Sequence, residues 1–268
     1  PDVQLDAFFL KVGAKLGSEV STRVALRDQL EPRVSELIDI VDELCDEIRR
    51  ITKRPVLAVL DGLDKPDLAV AKQLFVHHAT ALAAPACQIV FTVPLSLLFS
   101  GDYNVVRQSF SQFVLPNIAL ELPNGKMNRS GTTMLRDLVL RRMDDNLVTR
   151  TALGELVRAS GGVLRELVQL TQGAAAYALT AGSTAISIET VRLASQEVTQ
   201  NFRRILRPNH YEELIRIRQA GPGAVLNDVV VQLVENGSLL EYALAEQSWF
   251  GVHPLVDPIL NDLGMLEG

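Results

Sequence analysis

Pro55-Val56-Leu57-Ala58-Val59-Leu60-Asp61-Gly62-Leu63-Asp64-Lys65-Pro66-Asp67 is the stretch on which the fold turns. Between Pro55 and Asp61 lie five apolar residues without a polar break, the length of a strand. A continuous run of that kind predicts a strand buried on both faces of a parallel sheet. The run stops on a polar turn holding two carboxylates, Asp61 and Asp64, three residues apart. In open α/β sheets ligands bind beyond the carboxyl ends of the strands, so this is where acidic side chains do chemistry. Asp64 is placed to orient or deprotonate an attacking water. The same four residues also fit a plain turn leading into a helix cap, because Asp and Gly favour both.

Working outward, the pattern alternates. Apolar residues recur at helical spacing over 5–16 and 33–51, where Ile38, Val41, Leu44, Cys45 and Ile48 share a stripe. A helix is expected over 68–82, a second strand over 87–93, and a third over 114–122, closed by Pro123-Asn124-Gly125. Strand, helix, strand, helix, strand predicts an α/β class with a parallel sheet. Beyond Gly125 the 3.6 period takes over, at 128–143, 150–159, 163–179 and 188–206. Helices at 211–219 and 226–236 follow, then short strands at 239–243 and 249–253 around a polar turn, and a helical piece after Pro254. Helix, helix, β-hairpin is a winged-helix pattern. Three domains are expected: an α/β core at 1–125, an all-α domain at 126–185, and a linker helix with a winged helix at 186–268.

Composition supports three zones. The chain of 268 residues has net charge −6, but residues 1–125 sum to −4, 126–218 to +5 and 219–268 to −7. At 47% hydrophobic and 22% charged it is neither disordered nor fibrous. Cys45 and Cys87 sit in apolar patterns without metal spacing and read as buried thiols of a reducing cytosol, so a cytoplasmic protein is expected. The longest apolar run, 89–99, is interrupted by Thr92, Pro94 and Ser96 and falls short of the ~20 residues that cross a bilayer. The first residues lack both an initiator Met and a signal peptide's charged start, which suggests a fragment or a processed chain.

The Asp61 turn, the strand ending at Thr92, and Ser160-Gly161-Gly162-Val163-Leu164-Arg165-Glu166-Leu167 follow one another in the order of Walker B, sensor 1 and sensor 2. In this the sequence resembles AAA+ and STAND ATPases. Gly after the first Asp, and a second Asp one apolar residue later, are more similar to NACHT-type STAND proteins. The helical lid and the C-terminal winged helix, with Val252-His253-Pro254, resemble both STAND and archaeal origin-recognition ATPases. The resemblance implies an ASCE P-loop core with ATP and Mg²⁺ as ligands. Asp61 would hold Mg²⁺ through water, Asp64 would be the catalytic carboxylate, and Thr92 would sense the γ-phosphate. Arg165 would contact phosphates from the lid, and Arg107 stands where an arginine finger is often placed. Thr92 also fits a β-branched strand residue, and Arg165 and Arg107 also fit solvated charges. Lys65 departs from the acidic residue usual in NACHT proteins. The larger departure is that no Gly-x-x-x-x-Gly-Lys-Ser/Thr occurs; Gly13-Ala14-Lys15-Leu16-Gly17-Ser18 has its glycines too close together. Either the P-loop lies upstream in a longer chain, the reading favoured here, or nucleotide binding has been lost.

A winged helix that reads DNA needs Lys and Arg on its recognition helix and wing. None follows Arg218; Asp228, Glu235, Glu241 and Glu246 stand there instead. Composition therefore argues against nucleic acid, and for a protein partner or self-association through the core or the winged helix, with Trp249 and His253 as wing-to-core packing. Arg203, Arg204 and Arg207 fit a phosphate contact or a solvated helix face. The adjacent His77 and His78 lack the spacing of a metal site. The expected function is an ATP-dependent switch controlling assembly. Its rivals are a scaffold that has lost ATP and an origin-recognition-like DNA-binding ATPase.

Overall fold

The computed structural model describes residues 33–221, 227–244 and 247–265. The expected helix at 5–16 and the Gly13–Ser18 motif lie outside them, as does Glu246. The chain is helix-rich α/β and divides into two compact units. Among the described residues the first comprises 33–94 and 102–111, and the second 95–101 and everything from 112 onward.

In the first unit α1 (Val34–Thr52) places Cys45 inside and ends at Lys53, whose φ of 56° is left-handed. It also grips the start of the second strand from both sides. Asp42 Oδ1 accepts from Ala86 N at 2.6 Å, while the Arg49 guanidinium donates to the Ala86 carbonyl. Strands β1 (Leu57–Leu60) and β2 (Gln88–Phe91) pair in parallel, with Leu57 opposite Gln88 and Leu60 opposite Phe91. The expectation of a strand buried on both faces is corrected: Leu57 is 58% exposed and Val59 62%. Parallel strands normally have both faces covered, and no third described strand flanks this pair. Cys87 is half-buried rather than buried, and Cys45 lies beside it. Burial foremost, and Cys45 after it, push the Cys87 thiol up, which keeps it protonated.

The helix expected over 68–82 is broken in three. It comprises α2 (Leu68–Lys72), a wider π turn (Gln73–His77) closed by His78 N to Gln73 O at 3.2 Å, and α3 (Ala79–Leu82). The reason lies in the spacing of its buried residues. Ala71, Phe75 and Ala79 are all buried and four apart, a spacing that drifts about 40° per step around a regular helix. A turn that rotates less per residue reverses part of the drift and keeps Phe75 pointing inward. There it meets Phe91 and Phe110 edge-on, with centroids 5.7 and 6.1 Å away. Phe110 follows α4 (Tyr103–Ser109), so three rings tie the turn, β2 and α4 together.

The expected third strand at 114–122 is absent. Residues 117–121 belong to the second unit as an extended segment with two isolated bridges, Asn117 to Tyr242 and Glu121 to Met127. The second unit continues through α5 (Arg129–Leu140), α6 (Arg150–Ala159), α7 (Leu164–Thr180), α8 (Ile188–Ile205), α9 (Pro208–Ala220) and α10 (Asp228–Glu235). A hairpin of β3 (Leu239–Leu244) and β4 (Gln247–Val252) and a last helix α11 (Asp257–Asp262) complete it. Side chains set these boundaries: Asn128, Thr149, Ser187 and Asn227 each cap a helix start. One hydrophobic core runs from Leu135 and Leu156 through Leu170 and Leu214 to Leu239 and Leu260. It binds α5–α11 to the hairpin.

Two glycines separate strain from sterics. Gly162 has φ +84°, and a Cβ there would stand 1.9 Å from the Ile118 carbonyl oxygen; Gly182 has φ +68° with open space around it. Gly182→Ala should cost about 1 kcal/mol, the left-handed penalty alone, and Gly162→Ala well over ~2 kcal/mol, read as the difference in urea midpoints. Equal losses would sink the assignment of a backbone-to-backbone contact at Gly162.

Candidate functional site

The carboxyl ends of β1 and β2 lie side by side, and the ladder extends one residue further, with Thr92 N donating to Leu60 O at 3.2 Å. This sets the Thr92 hydroxyl against the turn that follows β1. Thr92 Oγ1 accepts from Gly62 N at 2.9 Å and Leu63 N at 3.1 Å, and donates over a long 3.5 Å to Asp64 Oδ1. A hydroxyl has one proton and two lone pairs, so all three are engaged. Gly62, at φ +89°, also shares its N–H with Asp61 Oδ1 at 2.8 Å. Three residues picked out in the sequence, Asp61, Asp64 and Thr92, therefore meet in one cluster within one unit. Asp61 is exposed at its rim and Asp64 is half-buried. The helix cap is neither of them: Asp67 fills that place, accepting from Val70 N at 2.9 Å.

Arg107 is exposed in the last turn of α4, in the same unit. Arg165 is exposed in the first turn of α7, in the second unit, and is not without a partner. His77 and His78 fall in and after the π turn, and among the described residues no three metal-ligating side chains converge.

The turn that carries Arg165 is held from three sides within its own unit. Ile118 N donates to Gly162 O at 3.2 Å, and Tyr242 of β3 donates its hydroxyl proton to Gly161 O at 2.6 Å. His253, fully buried after β4, bonds Glu166 Oε2 through Nε2 at 2.7 Å. Its Nδ1 accepts from Leu255 N at 3.1 Å, which leaves the ring proton on Nε2 for the carboxylate. Phe202 lies against the same ring, centroids 5.0 Å apart, and Tyr242 lies against Trp249 at 5.9 Å. Trp249 thus packs on its own hairpin and His253 on α7 and α8, all within the second unit. Sequence reasoning missed Tyr242, Glu166 and Asn117, whose only local signal was the adjacent glycines they surround.

No family model matches the chain, and neither does any curated protein. Among solved structures it is similar to the Orc2 protein of Aeropyrum pernix in its ADPNP-ADP complexes, with TM-score 0.41 and 15% identity over 84% of this chain and 69% of that one. It is also similar to a RuvB variant of Thermotoga maritima, with TM-score 0.36 and 15% identity over 79% and 70%. The Orc1 protein of A. pernix in complex with DNA gives TM-score 0.36 and 13% identity over 81% and 68%.

The Thr92 cluster is open to a direct check. Thr92→Val leaves the Leu63 amide without its acceptor and Gly62 N with the Asp61 carboxylate alone, so the Leu63 amide should exchange with deuterium at least tenfold faster and stability should fall by about 1–3 kcal/mol. Thr92→Ser should restore both. Unchanged exchange in the valine variant would mean that the hydroxyl does not hold the turn.

Proposed function

We propose that this chain forms the Walker B, sensor 1, lid and winged-helix portion of an AAA+-type ATPase that works as a conformational switch. The observation that carries the reading is the Thr92 hydroxyl bound to the Asp61–Asp64 turn at the carboxyl ends of two adjacent parallel strands. The exposed Asp61 carboxylate suits a water-mediated hold on Mg²⁺, and the half-buried Asp64 suits the orientation of an attacking water. Since Thr92 has no unused hydrogen-bonding capacity, it reports a γ-phosphate by exchanging its bonds to the turn for one to the phosphate. Arg107 serves as the arginine finger and Arg165 as the lid's phosphate contact. The phosphate cradle itself has no counterpart in the 268 residues, so the reading needs a P-loop supplied by a longer polypeptide. ATP binding then changes how the C-terminal part packs, and so permits self-assembly or partner binding in the cytoplasm. No described helix is long and apolar enough to cross a membrane. The motif spelling supports a STAND-type switch.

A second reading, an origin-recognition-like DNA-binding ATPase, is favoured by two features. On α5 a groove of about 750 Å³ gathers Arg129, Arg141 and Arg142 around a single acid, Asp137. The acidic C-terminal zone is also less repulsive than its charge sum, because Arg203 pairs with Asp262 and Arg218 with Asp257.

The deciding experiment is Mg-ATP titration of the complete native polypeptide, followed by melting, with Asp61→Ala alongside. Saturation a hundredfold above Kd should stabilise the protein by about 2.7 kcal/mol, and the variant should lose the effect. A complete polypeptide indifferent to Mg-ATP would leave the non-catalytic scaffold. Duplex DNA binding whose salt slope falls by roughly 0.9 for each arginine removed in Arg141→Gln and Arg142→Gln would move the reading to the second kind.

A further inference from the structure

A groove of the second unit lies between α6, α7, α8 and the start of α11 and measures about 1040 Å³. Four arginines line it, Arg158, Arg192, Arg203 and Arg204, with two glutamates, Glu155 and Glu197, and no lysine. In a chain of net charge −6 this is a locally positive surface. Residues 192, 195, 199 and 203 of α8 follow at spacings of three and four, so they share one helix face. From Arg192 to Arg203 that face runs about 16 Å.

Not all of this charge is consumed internally. Arg158 is chelated by Glu155, its Nε to Oε2 at 2.8 Å and Nη2 to Oε1 at 2.6 Å, and Arg203 pairs through one terminal nitrogen with Asp262. Arg192 is exposed, with the exposed Glu189 carboxylate interacting with it from one turn earlier, and Arg204 meets the Asn201 amide oxygen at 3.3 Å rather than a carboxylate. Two further atoms on the α8 face are buried without any partner: the hydroxyl of Ser195, a residue 8% exposed, and Nε of Arg203. A buried donor without an acceptor is costly and uncommon in a folded protein. Here two occur on the α8 side of one groove, each in want of a hydrogen-bond partner.

We propose that this groove binds an extended acidic peptide segment of a partner protein. Arginine rather than lysine favours planar, two-oxygen acceptors, which carboxylates and phosphates share. The groove's mixed sign separates these two. A nucleic-acid strand carries uniform negative charge and would run past Glu155 and Glu197. A peptide sets its acidic side chains against the arginines and neutral ones against the glutamates. Its backbone meets the side-chain amides of Gln196, Gln200 and Asn201, which line the same groove. At 3.2–3.4 Å per residue, about five extended residues cover the 16 Å face. This binding does not depend on nucleotide, so it stands or falls separately from the ATPase reading.

The test uses the 268-residue chain and a fluorescein-labelled twelve-residue peptide alternating Glu and Ser, followed by anisotropy at low salt. A Gln-Ser peptide and a thymidine 12-mer are the comparison probes. The Glu-Ser peptide should bind in preference to both. Arg192→Gln with Arg204→Gln should weaken it roughly tenfold at an unchanged melting temperature, Ser195→Ala should weaken it roughly threefold, and Arg141→Gln with Arg142→Gln on α5 should leave it as it was. The proposal fails if the Glu-Ser peptide does not bind, if the Gln-Ser peptide binds equally, or if the Arg192 and Arg204 changes have no effect. Tighter binding of the thymidine 12-mer through those two arginines would overturn it in favour of nucleic acid.

Discussion

At Gly162 two backbones come closer than any side chain allows, and much of the second unit is arranged around that approach. The Ile118 carbonyl oxygen occupies the space of a Cβ, and the Ile118 amide donates back to Gly162 O. Gly161, also left-handed, leaves room for Leu240 and offers its carbonyl to Tyr242. Asn117 then donates twice to Glu241 O, from its backbone N at 3.1 Å and from Nδ2 at 3.2 Å. Extended segment, helix-start turn and hairpin thereby converge on two residues without side chains. The His253–Glu166 bond closes the junction from the far end of the hairpin. The hairpin and the first turn of α7 are therefore joined by backbone-to-backbone proximity, by hydrogen bonds and by the packing of Val163 on Leu240, Tyr242 and Trp249.

The candidate site rests on economy of another kind. One hydroxyl on Thr92 ties the end of β2 to two amides of the turn after β1. Both partner amides belong to a turn whose Gly62 adopts a φ that few residues tolerate. The two carboxylates therefore sit on a turn that is held to β2 through a side-chain hydroxyl. Charge summed along the chain describes such local arrangements poorly. The −7 of the C-terminal zone includes Asp257 and Asp262, which face Arg218 and Arg203 across the fold, and Glu241, whose carboxyl burial pushes up.

The sequence was readable wherever the signal was local. Periodicity placed α1 and α5–α10 to within a few residues, since each has an apolar stripe and, in four cases, a capping side chain. The run ending at Leu60 and the Asp61–Asp64 pair were equally plain, whereas the bonds from Thr92 to that turn appear only in the structure. What stayed hidden depended on distant partners. The segment around Asn117 has the alternation of a strand, yet its amide is answered by Glu241, 124 residues away, and no sheet forms there. The π turn at Gln73–His77 arises from rings at 91 and 110 that claim Phe75. Exposure of β1 could not be foreseen either, because hydrophobicity records what a strand can bury and not what covers it.

The path of the chain also limits how it can be divided. It leaves the first unit after Pro94, spends residues 95–101 in the second, returns for 102–111, and leaves again. The short visit is structural: Leu97 is 1% exposed, and Phe99 packs on Phe250 of the hairpin with centroids 5.4 Å apart. A single cut before residue 95 deprives the α/β unit of α4 and of the ring of Phe110, whereas a cut after residue 111 strips the helical unit of Leu97 and Phe99. Neither half is then a clean piece, and during synthesis the helical unit waits for its second instalment of chain before its first can be covered.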